Sequence, residues 1–322
     1  MLQYLRKVRA SFNGGLVINP GLVSVHEIKI EFSISKGISS SPNSAEIKLY
    51  NLAETTRNGM GKEFDAITLE AGYMPPAGMA GPGVLNYRRN ENGVYVSDFG
   101  RVATEYSGNV GIIFKGAVRD VEHKREGTNI ITTIACGDGD AAFRRATISK
   151  SYPSGTPVKD VIDDIAKQME AKGLSRGEFK YPEALEGKTF KRPYAACGSC
   201  VRELDTIGRG NGFYWSSQNE TLELVPSDGF VGTVALITPE TGMIGTPAIT
   251  DNGVRVSALL NPEIRPNRRA QIKSQTLEMN AADGMYRVSE CTYSGDNYTG
   301  EFKVDITGEA IKGGKVDEGI KR

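Results

Sequence analysis

The chain has 322 residues, with 39 Lys and Arg against 39 Asp and Glu, so its formal charge at neutral pH is zero. That balance argues against a surface built to coat nucleic acid, and a composition of 39% hydrophobic and 24% charged residues excludes disorder throughout. No apolar run approaches the roughly 18 residues of a membrane-spanning helix. The opening MLQYLRKVRASFNGG lacks the apolar core of a signal peptide, and four cysteines are too few for a disulfide scaffold, so the expectation is a soluble protein with reduced thiols.

Thirty-eight glycines punctuate short apolar runs at spacings that suit strands and turns. From Ile28 to Ser35 apolar and polar residues alternate strictly, which sets Ile28, Ile30, Phe32 and Ile34 on one face of a half-buried strand. Comparable runs at 45–49, 67–71, 112–121 and 130–135 predict a closed or nearly closed barrel. Between Tyr73 and Gly111 the chain is far longer than an ordinary hairpin loop. Its Pro- and Gly-rich part at 75–83 suits neither ladder nor helix and predicts a projecting arm or lid.

After Gly137 the period changes. Val158, Val161, Ile162, Ile165 and Met169 fall at helical spacing behind Thr156 and Pro157, and Gly173 suits the stop. A second helix is predicted from about Ser199 to Ile207, ending at the Gly208-Arg209-Gly210 run. Strands at 212–215 and 221–225 complete a small α/β piece. Strands at 231–237, 254–260, 269–273, 286–293 and 301–306 then predict a second barrel, with a tight turn at Gly295 and a loose tail over 311–322.

Several residue groups are candidates for chemistry. Cys197 and Cys200 form a Cys-x-x-Cys near a helix start, where the dipole lowers a thiol pKa; they read as a redox pair, half a zinc site, or small buried side chains. Zinc needs two further ligands, and Cys136, Cys291, His26 and His123 are all singly placed. Asp138-Gly139-Asp140 opens like a calcium loop, but no carboxylates follow, so a turn after a strand explains it better. The two histidines neighbour no nucleophile. The glycines at 208–212 follow a helix instead of opening one and lack the phosphate-loop Lys-Ser/Thr. Arg265, Arg268, Arg269 and Lys273, and separately Arg144 and Arg145, read as solvated basic faces. Phe213, Tyr214 and Trp215 alternate faces on a strand.

Three segments carry a resemblance. SPNSAEIKLYNL from Ser41, followed by AETTR, resembles the first-barrel signature of phage tail baseplate hub proteins, in which a strand ending in Tyr-Asn-Leu leads into a short helical turn. ACGDGDAAF from Ala135, with YPSGTPVKDVI from Tyr152, resembles the family's passage from barrel to helical domain. TPETGMIGTPAIT from Thr238, continuing into GVRVSALLNPEIRP from Gly253, is similar to its entry into the second barrel.

The resemblance implies a mainly β fold of two tube-type barrels separated by a small α/β domain, related to the upper part of type VI secretion spikes. The corresponding divisions are 1–140 with the long loop 73–111, then 141–226, 227–310 and a flexible tail at 311–322. It further implies a virion protein assembled in the host cytoplasm, a homotrimer whose ring adapts a sixfold tail tube to a threefold central spike. Its implied partners are the spike, a tube or tube-initiator protein, a tape-measure protein and other baseplate components. DNA passes through its channel without sequence-specific binding. The resemblance calls for no catalytic residue, cofactor or metal. Loop length and the cluster Tyr87, Arg88 and Arg89 point to a partner contact. The alternatives are a zinc or redox protein using Cys197 and Cys200, and a carbohydrate-binding tail protein.

Overall fold

The computed structural model describes residues 5–20, 27–62, 65–74, 87–89, 95–97, 109–232, 234–251, 253–274, 283–312 and 314–316. The fold is mainly β. In chain order the first part holds β1 (Leu5–Phe12), β2 (Val17–Ile18), β3 (Ile30–Gly37), β4 (Ser44–Tyr50), α1 (Glu54–Gly59), β5 (Ala66–Met74), β6 (Tyr87–Arg89), β7 (Tyr95–Ser97), β8 (Gly111–Glu126) and β9 (Asn129–Gly137). The middle holds α2 (Asp140–Arg145), β10 (Thr147–Tyr152), α3 (Val158–Glu170), β11 (Ser175–Phe179), β12 (Tyr194–Ser199), α4 (Cys200–Asn211), β13 (Phe213–Ser217) and β14 (Thr221–Pro226). The last part holds β15 (Val234–Ile237), β16 (Met243–Thr250), β17 (Gly253–Leu259), β18 (Arg269–Ile272), β19 (Gly284–Asp296), β20 (Phe302–Lys312) and β21 (Lys315–Val316).

The two outer parts form one 14-stranded sheet. In the first, six strands neighbour one another in the order β3-β4-β9-β8-β5-β1; in the last, six follow β16-β17-β20-β19-β18-β15. Strand for strand the two orders match, except that β1 lies antiparallel to β5 whereas β15 runs parallel to β18. The halves are joined by β3, which pairs antiparallel with the later half of β19 from Glu31↔Asp296 to Gly37↔Glu290. No ladder among the described residues joins β1 to β3. Asn19 bridges that gap instead, at φ 56°, donating to the Ile28 carbonyl at 2.8 Å and accepting from the Ile28 N–H at 2.8 Å.

Alternation drives this arrangement. Val8, Ala10 and Phe12, Ile30, Phe32 and Ile34, Ile47 and Leu49, and Val254, Val256 and Ala258 all turn to one buried face, and a single apolar core runs through both halves. Phe302 sits where the halves meet, edge-on to Phe32 and Tyr73 with ring centroids 5.8 and 5.2 Å away. Tyr73 also donates its hydroxyl to the Phe302 carbonyl at 3.0 Å. β8 leaves β5 and joins β9 around Gly116, where a Cβ would run into the Gly137 carbonyl.

The middle part has its own core. α3 spans the predicted helix and buries Val158, Val161, Ile162, Ile165 and Met169 against α4, Trp215, Leu222 and Leu224. α4 runs past the predicted stop to Asn211, because the glycines at 208 and 210 stay helical and Gly212 at φ 69° supplies the left-handed cap. The tight turn falls later than Gly295, since Gly295 and Asp296 still pair with β3. The tail expected from residue 311 begins instead as strand: β20 runs to Lys312, and β21 folds back on it with the Val316 N–H bound to the Asp228 carbonyl at 2.9 Å.

Phe302→Ala removes the ring that both halves share. It is expected to cost about 3–5 kcal/mol, read as a lower denaturant midpoint with an unchanged m-value.

Candidate functional site

Two features of the described residues stand out: what fixes the parts of the chain together and what the chain leaves exposed. The fixing centre is Asp138, fully buried at the end of β9. β13 and β14 are joined by a two-residue turn in which Asn219 and Glu220 both take left-handed φ of 57° and 58°, as hairpin twist requires. Both turn N–H groups point at the Asp138 carboxylate, at 2.8 and 2.6 Å, and the Ser217 hydroxyl donates to it at 2.7 Å. The Asn43 amide adds a fourth bond at 3.1 Å and also reaches the Ser217 carbonyl at 2.6 Å. Four donors on one buried carboxylate compensate its desolvation and bind the middle part to the sheet. The Asp-Gly-Asp motif is thus a turn, as expected, but its first carboxylate is an anchor. Its second, Asp140, receives a bidentate pair of bonds from Arg119, both 2.6 Å.

Two further clamps reach the last part of the sheet. Arg268, expected on a solvated face, is instead largely buried and bidentate to Glu223 at 3.1 and 2.6 Å, because β14 passes directly over it. Arg287, 1% exposed, donates to the Ser227 and Gly229 carbonyls at 2.7 and 2.9 Å and pairs with Glu309. Arg144 and Arg145 match the expected exposed face.

Lys36 is the unexpected member of this seam. It lies on the β3 face that alternation would bury, directly across the ladder from Cys291, and donates to the Asn219 side chain. Burial pulls its pKa down from the ordinary 10.5 to about 8, although Asp138 nearby acts the other way. Sequence alternation places residue 36 inward, but nothing local reveals that a lysine there finds a partner 183 residues away.

The cysteine motif does not form the arrangement its spacing suggested. Cys197 sits on β12, exposed, and only Cys200 begins the helix, where burial raises its thiol to about 11. Cys136 and Cys291 are buried in the sheet, at about 12 and about 11. Among the described residues no three His, Cys, Asp or Glu side chains converge as metal ligands. His123 bonds Thr132 at 3.1 Å, and His26 lies outside the described residues, as does the 75–83 segment. Phe213 and Trp215 are core and Tyr214 is outward, as alternation predicted. Tyr87, Arg88 and Arg89 form a short strand paired with Tyr95–Ser97.

Among the described residues, five of the eight exposed large apolar side chains lie in the last part. Val234 and Leu236 on β15, with Ile244 and Ile249 on β16, are 37 to 61% exposed, Ile249 most of all. No helix among the described residues is long and apolar enough to cross a membrane.

The sequence profile of a family described as baseplate hub gp41 matches residues 11–308. The chain belongs to that family. Solved structures carry the hub's fold at low identity. A 43 kDa tail protein of prophage MuSo2 from Shewanella oneidensis matches with TM-score 0.58 and 7% identity, over 98% of this chain and 100% of that one. A tail protein from Neisseria meningitidis MC58 matches at 0.56 and 8%, over 95% and 97%. The E. coli c3393 protein, a type VI secretion component with structural similarity to T4 tail proteins gp27 and gp5, matches at 0.55 and 10%, over 98% and 79%. No curated protein matches the hub's sequence.

Two measurements test these placements, the first of Lys36 and the second of the cysteines. Unfolded lysine keeps its proton to about 10.5 while folded Lys36 releases it near 8, so the unfolded state binds more protons in between. The stability of the parent hub relative to Lys36→Met is therefore expected to rise from pH 8 to pH 10 in paired denaturation curves. An aromatic disulfide reagent is expected to titrate one thiol, Cys197, in the native hub and four in denaturant.

Proposed function

We propose that this hub is a structural, non-enzymatic part of a phage tail baseplate, three copies closing a ring that adapts a sixfold tail tube to a threefold spike. Family membership across residues 11–308 carries the reading. The matched strand order of the two outer parts supports it physically, since three chains with two like units each offer six tube-facing units and keep threefold symmetry elsewhere.

On this reading residues 1–140 and 227–310 are the two tube-type barrels, 141–226 is the α/β domain between them, and the Asp138 seam holds the three parts in a fixed relation. The hub works in the virion after assembly in the host cytoplasm. It binds the spike on one side and the tube or its initiator on the other, and the 73–111 segment with Tyr87, Arg88 and Arg89 contacts a partner. DNA and tape-measure protein pass through the ring without sequence-specific contact. Burial of Cys200, which raises its thiol to about 11, favours this role over a redox one built on the Cys197–Cys200 pair.

Native mass spectrometry tests the proposal. The expected species is a metal-free trimer of the 34.8 kDa chain. A zinc-loaded monomer overturns it.

A further inference from the structure

The two outer parts agree in register as well as in strand order. β8 and β19 each carry one bulged residue against their hairpin partner: Arg119 between Val118 and Asp120, and Ser289 between Val288 and Glu290. Setting the bulges equal aligns Glu122 with Thr292, His123 with Tyr293 and Lys124 with Ser294. The same alignment carried through β9 and β20, then β4 and β17, sets Ile47 with Val256 and Ala45 with Val254. One strand further, Ser33, Ile34 and Ser35 of β3 align with Ala248, Ile249 and Thr250 of β16.

This correspondence exposes an asymmetry. Inside the chain the outer edge of late β19 is covered by β3, with Tyr293 directly opposite Ile34 and both fully buried. The equivalent outer edge of β8, from Arg119 to Glu126, has no strand beside it among the described residues. The strand equivalent to β3 is β16, whose outer edge is likewise unpaired among the described residues. Ile249, the counterpart of fully buried Ile34, is 61% exposed although its cross-strand neighbour Val254 is buried. One chain thus holds one copy of the β3–β19 junction and the two separated halves of a second.

We infer that the second junction forms between chains: β16 of one copy adds to the outer edge of β8 in the next, antiparallel, with Ile249 opposite His123, Thr250 opposite Glu122 and Ala248 opposite Lys124. The inference rests on the ring reading above and specifies its contact. Because donor and acceptor edges differ, each copy uses both, and the contact is head-to-tail, the kind that makes the ring proposed above when the rotation between copies is threefold. The bulge that sets Gly245, Thr246 and Pro247 against Val256 alone limits continuous pairing to Ala248–Thr250. That bulge, Pro247, and the charges of Glu122, Lys124 and Glu126 keep both edges from pairing indiscriminately while the chain is free.

The test uses the full chain carrying Cys197→Ser, to remove the exposed thiol. His123→Cys with Ile249→Cys is expected to crosslink under mild oxidation or with a short bismaleimide into covalent species of two and three chains. Each single cysteine, and the off-register pair His123→Cys with Ile244→Cys, is expected to stay uncrosslinked. Ile249→Asp, a change at a site open to solvent in the single chain, is expected to give a monomer with an unchanged circular dichroism spectrum where the parent is trimeric. Trimers that survive Ile249→Asp and do not crosslink overturn the edge pairing and leave the ring reading standing. A parent chain that remains monomeric at every concentration overturns both.

Discussion

The ladder between β3 and the later half of β19 is the constraint on which the rest of the molecule depends. Without it the two outer parts are separate sheets, each with a long apolar face and an unpaired edge. With it they share one core, whose junction is filled by Phe302 and tied by the Tyr73 hydroxyl. The ladder also sets Lys36 and Cys291 opposite each other, so the residue that reaches up to the middle part stands on the strand that joins the other two. One hydrogen-bonded seam therefore determines how all three parts are disposed.

The middle part is held by polar bonds, in contrast to the apolar junction beneath it. Asp138 gathers two turn N–H groups, a hydroxyl and an amide, while Arg268 and Arg287 clamp β14 and the turn after it. Such bonds are directional and fully compensated, so they fix orientation more than they add stability.

Much of this was legible in the sequence wherever the information is local. The strict alternation of Ile28 to Ser35, the helical spacing of Val158 to Met169 and the short apolar runs placed most elements within a few residues. β1 escaped although Lys7 to Phe12 alternates polar and apolar, because Leu5 and Arg6 ahead of that run fall out of its phase and shorten the signal. β16 escaped as a strand because Gly245 and Pro247 read as loop. The seam itself was illegible, since Lys36, Asp138 and Asn219 are distant in sequence and meet only through topology. Arg268 misled for the same reason: a basic run reads as solvated until the strand above it is known.

The ladder that completes the sheet also sets a timetable. Ile30 binds the side chain of Asn297, 267 residues further along. At roughly 5–20 residues per second, synthesis leaves the β3 edge without its partner for about 13 to 53 s. The intervening α/β unit can fold in that interval from contacts within its own stretch, because its core is drawn only from residues 142–224. The nascent chain thus carries the β3 edge open through most of its translation, until β19 emerges to cover it.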